Sequence, residues 1–198
     1  AMLTQMFIEC GNGPFGGHRR QGSRQSAAAA DWANSEVMVC EACEFEDHFL
    51  KFHPDIAVVL NVDATTWNIL KRWTMFWIPT TALLDGDQGG HLQRDDANSC
   101  RAVQGIEGVK LLCFGMGEDN DYHACNIRHV DGRHTLYDLY YKQERLGQVK
   151  LNVPGEHNVL NSMAAVAAAI ESGCQTQRAV ESVSAFQGAG RRFEIMGT

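Results

Sequence analysis

Residues 56–63 read IAVVLNVD, apolar at nearly every consecutive position. A strand with one wet face alternates, whereas a strand apolar on both faces must be covered on both. The usual solution is a parallel sheet between helices, so this run points to the α/β class. EVMVCEAC (36–43) and VKLLCFGM (109–116) have the same character, which predicts three buried strands. Between the first two, FEDHFLKFHP places Phe45, Phe49 and Phe52 on one helical face, with Pro54 beyond its end.

After residue 120 the period changes. YHACNIRHV, RHTLYDLYYK and RLGQVKLNV alternate and are joined by DGR and KQER, the pattern of an antiparallel meander over 121–153. PGEHNVLNSMAAVAAAIESG then predicts a helix. Val159, Met163, Val166 and Ile170 step by helical intervals, and Gly173 ends it. Residues 1–10 fit a helix with Met2, Met6, Phe7 and Cys10 on one side, and QTQRAVESVSAF fits a last one. The expected fold is α/β, a mainly parallel sheet with a small antiparallel sheet attached.

Two windows resist this reading. Residues 11–34 are rich in Gly, Arg and Gln and then run SAAAAD, and residues 65–94 include Trp67, Trp73 and Trp77 with no polar face. Neither has a period, and order returns only at 109.

The 198 residues are enough for one domain with a real core. A net charge of −7 speaks against non-specific nucleic-acid binding. No apolar run is long enough to span a bilayer, and AMLTQMFIECG lacks the features of a signal peptide. The start, without Met and in mid-helix pattern, leads us to expect a piece of a longer protein. Seven irregularly spaced cysteines argue against a disulfide framework and for a reducing cytoplasm. Cys40 and Cys43 form a lone CxxC with no second pair at zinc-finger spacing.

Three constellations carry chemistry. Glu41 and Glu44 stand at the C-terminal end of a predicted parallel strand, where α/β sheets bind ligands. A carboxylate there can hold a hard cation that bridges phosphates; otherwise Glu44 caps the next helix and Glu41 is a surface acid. In VPGEHNVLNSMAA, Asn158 and Asn161 share one helical face opposite the Val/Met stripe. Paired amides can read a base edge, or simply cap the helix and face solvent. In GAGRRFE, Arg191 and Arg192 cannot share a face, so one can meet a phosphate or ribose; a solvated pair is the plainer reading.

In this order the three resemble the central domain of the Mur ligases, especially the L-alanine-adding branch. The matching pieces are SEVMVCEACEFEDHFLKFHPDIAVVLNVDA, the FGM/DYHA meander, VPGEHNVLNSMAAVAAAIESG and FQGAGRRFE. The resemblance implies a P-loop Mur-type central domain in an ATP-dependent ligase that joins L-alanine to UDP-N-acetylmuramate. It implies Glu41 as a Mg²⁺ ligand, His157, Asn158 and Asn161 around the adenine, and Arg191 and Arg192 near ribose and phosphates. A cytoplasmic location, with no nucleic-acid partner and no membrane insertion, goes with it. The related ligase that attaches a recycled tripeptide, and a non-catalytic nucleotide-binding remnant, are the alternatives.

Residues 1–198 depart from the family pattern in several places. No GxxxxGK[ST] occurs in them, and the family's phosphate-binding loop would stand just before AMLTQ. The N-terminal UDP-binding domain and the C-terminal domain have no counterpart in these residues, so the chain alone is expected to be inactive. The family's NxDADH is replaced by Asn61-Val62-Asp63-Ala64-Thr65-Thr66. A shifted reading frame accounts for this. Begun at the third base of Ala64, the codons permit DHLEYF, with Trp67 forcing a glutamate. The same operation permits IGSGGRLG over Gln25–Ala33 and, in another phase, VIYNA over Gly90–Arg94. Residues 13–33 and 65–94 are therefore expected to be out of frame, with few core contacts and at least one of the three tryptophans exposed.

Overall fold

A computed structural model describes residues 1–10, 37, 39, 54–61, 89–103 and 110–188. The described elements are α1 (Met2–Cys10), β1 (Ile56–Val59), β2 (Gly89–Gln93), α2 (Ala97–Ala102), β3 (Lys110–Gly115), β4 (Tyr122–Val130), β5 (His134–Tyr141), β6 (Glu144–Leu151), α3 (Glu156–Glu171) and α4 (Thr176–Ala185). The strands form one sheet in sequence order. β1, β2, β3 and β4 pair in parallel, while β4, β5 and β6 form the antiparallel meander.

The parallel and antiparallel parts are thus one continuous sheet rather than two attached ones. Their junction is short: β3 and β4 pair only at Phe114–Tyr122 and Gly115–His123. A parallel pair normally needs a long crossover, because the chain must return the length of a strand. Here β4 starts beside the end of β3 and runs on past it, so a short loop suffices. Below the overlap, the Asp121 carboxylate accepts the Cys113 N–H at 2.9 Å, standing in for a missing ladder partner.

α3 packs on the sheet through Val159, Met163 and Val166, all fully buried. Burying such side chains is worth about 1.5–3 kcal/mol each. Ala164 to Ala169 are buried as well, because α1 and α4 also pack against the helix. Gly147 of β6 makes room for Val180 of α4: a Cβ there would lie 3.1 Å from Val180 Cγ1. The meander turns use left-handed backbone at Asp131, Gly132 and Lys142, which suits the twist of tight hairpins.

Several expectations need correction. β1 is not buried on both faces: Val58 is 37% exposed, and β1 is the edge strand among the described residues. Leu111 of β3 is likewise 40% exposed. The window 65–94 does not stay out of the sheet, since Gly89–Gln93 forms β2 between β1 and β3, with His91 and Leu92 buried. Order resumes before 109: α2 starts at Ala97, and Asp96 caps it by accepting the Ser99 N–H at 2.7 Å. Cys10 and Cys174 form a disulfide, although the sequence argued against a framework of them. They are 164 positions apart and meet only because α1 packs beside the α3–α4 turn. Strand 36–43 lies almost wholly outside the described residues, as do helix 44–53, residues 13–33 and Trp67, Trp73 and Trp77.

Candidate functional site

The C-terminal edge of the parallel strands is built around Asp95, just after β2. Its carboxylate accepts the Met116 backbone N–H and, at 3.1 Å, the Asn120 amide. The same amide donates to the Gly117 carbonyl at 2.9 Å, closing the loop between β3 and β4. Gly115 leaves space for this, because a Cβ at that position would collide with the Asp95 carboxylate. Asn120 is buried, and its Oδ1 has no partner among the described residues. Arg94 donates to the Asp119 carbonyl at 2.8 Å. Its 3.6 Å pairing with the Asp119 carboxylate is exposed on both sides and adds little. Asn61 follows β1 at this edge and is exposed.

Two contacts orient α3 relative to that edge. Its last turn is tied to the start of β3 by the Lys110–Glu171 ion pair. Higher up, the Tyr137 hydroxyl meets Ser162 at 2.7 Å. Ser162 donates to the Val159 carbonyl, so Tyr137 is the donor in that pair. α3 therefore runs antiparallel to β3, and its N-terminus lies on the side where β3 ends. Gly155 takes φ +100° before the first turn, with the His157 ring against it. His157 is exposed and Asn161 half-buried. Asn158 is buried, and its amide donates to the Pro154 carbonyl at 2.6 Å. Its side chain thus ties the first turn back to the preceding loop, on the protein side of the helix rather than on a solvated face.

His157, Asn158 and Asn161 lie together at the start of α3, on the side where β3 ends. Glu41, Arg191 and Arg192 lie outside the described residues, so their placement stays an expectation. Asp95 was missed from sequence because it falls at the close of a window without period. The signal that could have found it is the Asp95-Asp96 pair, followed by Ser99 at N-cap spacing.

His91 was missed as well. It faces α3 from the middle of β2, is 1% exposed, and its Nδ1 has no partner among the described residues. Desolvation lowers its pKa to about 4, against the pull of Glu171 and Asp121 and with the push of Lys110. Burial likewise raises the Cys113 thiol and the Tyr122 hydroxyl. Among the described residues no cluster of three His, Cys, Asp or Glu is placed to hold a metal ion, and no helix is long and apolar enough to cross a membrane.

A family profile described as the Mur ligase middle domain matches residues 85–169, the span that runs through β2, the junction loop, the meander and most of α3. The chain belongs to the Mur ligase family. Its members are ATP-dependent ligases of peptidoglycan synthesis. The UDP-N-acetylmuramate–L-alanine ligase of Caldanaerobacter subterraneus is 35% identical over 82% of the chain and 36% of that protein. The chain thus spans about a third of the length of the curated relatives it matches. The solved UDP-N-acetylmuramate:L-alanyl-gamma-D-glutamyl-meso-diaminopimelate ligase from Neisseria meningitides aligns at TM-score 0.68 and 20% identity, over 96% of the chain and 62% of that structure. A MurF ligase from Thermotoga maritima in complex with ADP aligns at TM-score 0.52 and 18% identity, over 69% and 31%. At these identities the structures speak for the fold alone.

Proposed function

We propose that this chain is part of the central, ATP-binding domain of a cytoplasmic ligase that joins L-alanine to UDP-N-acetylmuramate. The observation that carries the reading is the 35% identity to the alanine-adding ligase of Caldanaerobacter. ATP supplies a phosphoryl group that turns the lactyl carboxylate of the sugar into an acyl phosphate, which the alanine amine then attacks. A free carboxylate is a poor electrophile, and a phosphate leaving group removes that obstacle.

The described residues fit a nucleotide at this edge. The exposed His157 ring and the half-buried Asn161 amide offer a stacking surface and a donor–acceptor pair to a base. The bare N–H groups of the α3 start favour negative charge nearby. Asp95 holds the loop between β3 and β4 in one shape at the C-terminal end of these strands. Glu41 would hold Mg²⁺, and Arg191 and Arg192 would approach ribose and phosphates. These roles rest on the resemblance.

Two other readings stand beside it. The tripeptide-adding alternative rests on the resemblance alone. The buried, unpartnered His91 favours a remnant whose window 65–94 is out of frame. On either count these 198 residues alone are proposed to be inactive, since they hold no GxxxxGK[ST].

The test is a chimera. The matching segment of the Caldanaerobacter enzyme is replaced by this chain, as it stands and with windows 13–33 and 65–94 restored to the alternative frame. ATP- and L-alanine-dependent phosphate release is then measured with UDP-N-acetylmuramate. The restored chimera is expected to turn over and the unrestored one not. Silence from both sinks the reading of the chain as this enzyme's central domain, and equal activity sinks the frame account.

A further inference from the structure

We infer that Cys10 and Cys174 form a reversible dithiol–disulfide modification site whose co-substrate is a low-molecular-weight disulfide. The inference goes beyond the proposed activity and does not depend on it. The two Cα atoms lie 5.8 Å apart, inside the ordinary range for a disulfide, so the backbone already holds the pair in bonding position. Neither cysteine is a lone thiol, and neither belongs to the nucleotide edge. The pair sits at the opposite end of α3 from His157 and Asn158. Cys10 is the last residue of α1, and Cys174 lies in the turn between α3 and α4.

Both residues are buried, at 8% and 5% exposure, among apolar neighbours of the core. Reduced, they pack there as small hydrophobes, so the site suits either state. Access follows from position. Helix ends and inter-helix turns open locally at low cost, unlike the middle of a strand. Arg178 of α4 donates to the Cys10 carbonyl at 3.4 Å, a long bond that a small opening would break.

The chemistry balances as two exchanges. One protein thiolate attacks a sulfur of the small disulfide, breaking its S–S bond and releasing one small thiol. The mixed disulfide that remains is attacked by the second protein thiolate, which releases the other small thiol. The protons of the two cysteines end on the two released thiols, so the protein is oxidised by two electrons and the small disulfide reduced. Excess thiol reverses both steps. The closed bridge spans 164 positions and clamps α1 to the α3–α4 turn, which constrains most of the unfolded chain.

The test uses the whole 198-residue protein after incubation with oxidised glutathione or with dithiothreitol. Thiols are counted in denaturant, the linked peptides mapped by mass spectrometry, and melting followed by circular dichroism. The expected result is seven thiols reduced and two fewer oxidised, with Cys10 joined to Cys174. The oxidised form should melt about 10 °C higher, as the long loop implies. Cys10→Ala and Cys174→Ala should each abolish that shift while melting close to the reduced wild type. Seven thiols remaining after oxidation, a bridge between other cysteines, or a bridge that resists dithiothreitol in the folded protein would each overturn the inference.

Discussion

His91 should make this protein acid-sensitive in a defined window. In the folded state its pKa is lowered to about 4 by burial, whereas in the unfolded chain it returns to the ordinary histidine value of 6.5. The neutral imidazole is therefore the folded form across most of the acid range. Between the two values the unfolded state binds more protons, so stability falls as pH falls. The contribution is fully present above pH 6.5 and is lost progressively down to pH 4. One pKa unit corresponds to about 1.4 kcal/mol, which makes the loss about 2 kcal/mol by pH 5. With a urea slope of about 2 kcal/mol per molar, the midpoint should drop by about 1 M between pH 7.5 and pH 5. His91→Ile is the matched perturbation, since it keeps the volume, suits a strand and removes the unpartnered Nδ1. It should raise stability at pH 7.5 by about 1–3 kcal/mol, the usual penalty of a buried polar atom without a partner. It should also remove about 1 M of the acid drop, since the two proteins differ only at residue 91. Equal acid drops in the two proteins would refute the reasoning, whatever the size of either drop.

Asp95→Ala should cost about 2–3 kcal/mol in urea unfolding, because it strips the acceptor from the Met116 N–H and the buried Asn120 amide. A fall below 0.5 kcal/mol, an order-of-magnitude floor for such losses, would show that water replaces the carboxylate. Gly155→Ala should lower the melting midpoint by several degrees, from φ +100° and a Cβ 2.5 Å from His157 Cε1. An unchanged midpoint would mean that the turn relaxes freely. Ser162→Ala should cost about 1–2 kcal/mol, because it leaves the donor of Tyr137 unpaired in the core. Tyr137→Phe in the same background should recover part of that cost, and a double-mutant cycle reads the coupling.

Elements that announce themselves by period were legible in the sequence. The meander showed as alternation broken at DGR and KQER, and its strands run from Tyr122 to Leu151. The stripe of Val159, Met163 and Val166 gave α3, and Met6, Phe7 and Cys10 gave the buried side of α1. β2 could not be read this way, because GGHLQ has two glycines and no alternation. It exists because β1 and β3 present ladder groups on either side, and backbone pairing is indifferent to side chains. HN..N falls at the start of α3. What the motif could not reveal is that Asn158 turns back to Pro154, since that depends on the φ of Gly155.

This indifference of the backbone is what separates the two accounts of the window 65–94. The expectation of a segment outside the core failed at Gly89–Gln93, so strand membership no longer discriminates. Side chains still do. Val58 and Leu112 are the register partners of His91, and both are apolar. A selected strand would place an apolar side chain between them, facing α3. This one places an imidazole whose Nδ1 finds no partner, the kind of local conflict that natural sequences avoid away from function. Reading Gly90–Arg94 in the other phase gives VIYNA, which puts isoleucine at this position and rejoins at Asp95, where side-chain contacts become well satisfied again. The boundary between misfit and fit therefore falls where the codon argument alone had placed it. The nucleotide sequence tests this independently of any stability measurement. Single-base insertions and deletions flanking these windows, relative to a related gene, are the expected finding, and an unbroken codon phase across 65–94 would leave His91 as a native residue whose burial needs another cause.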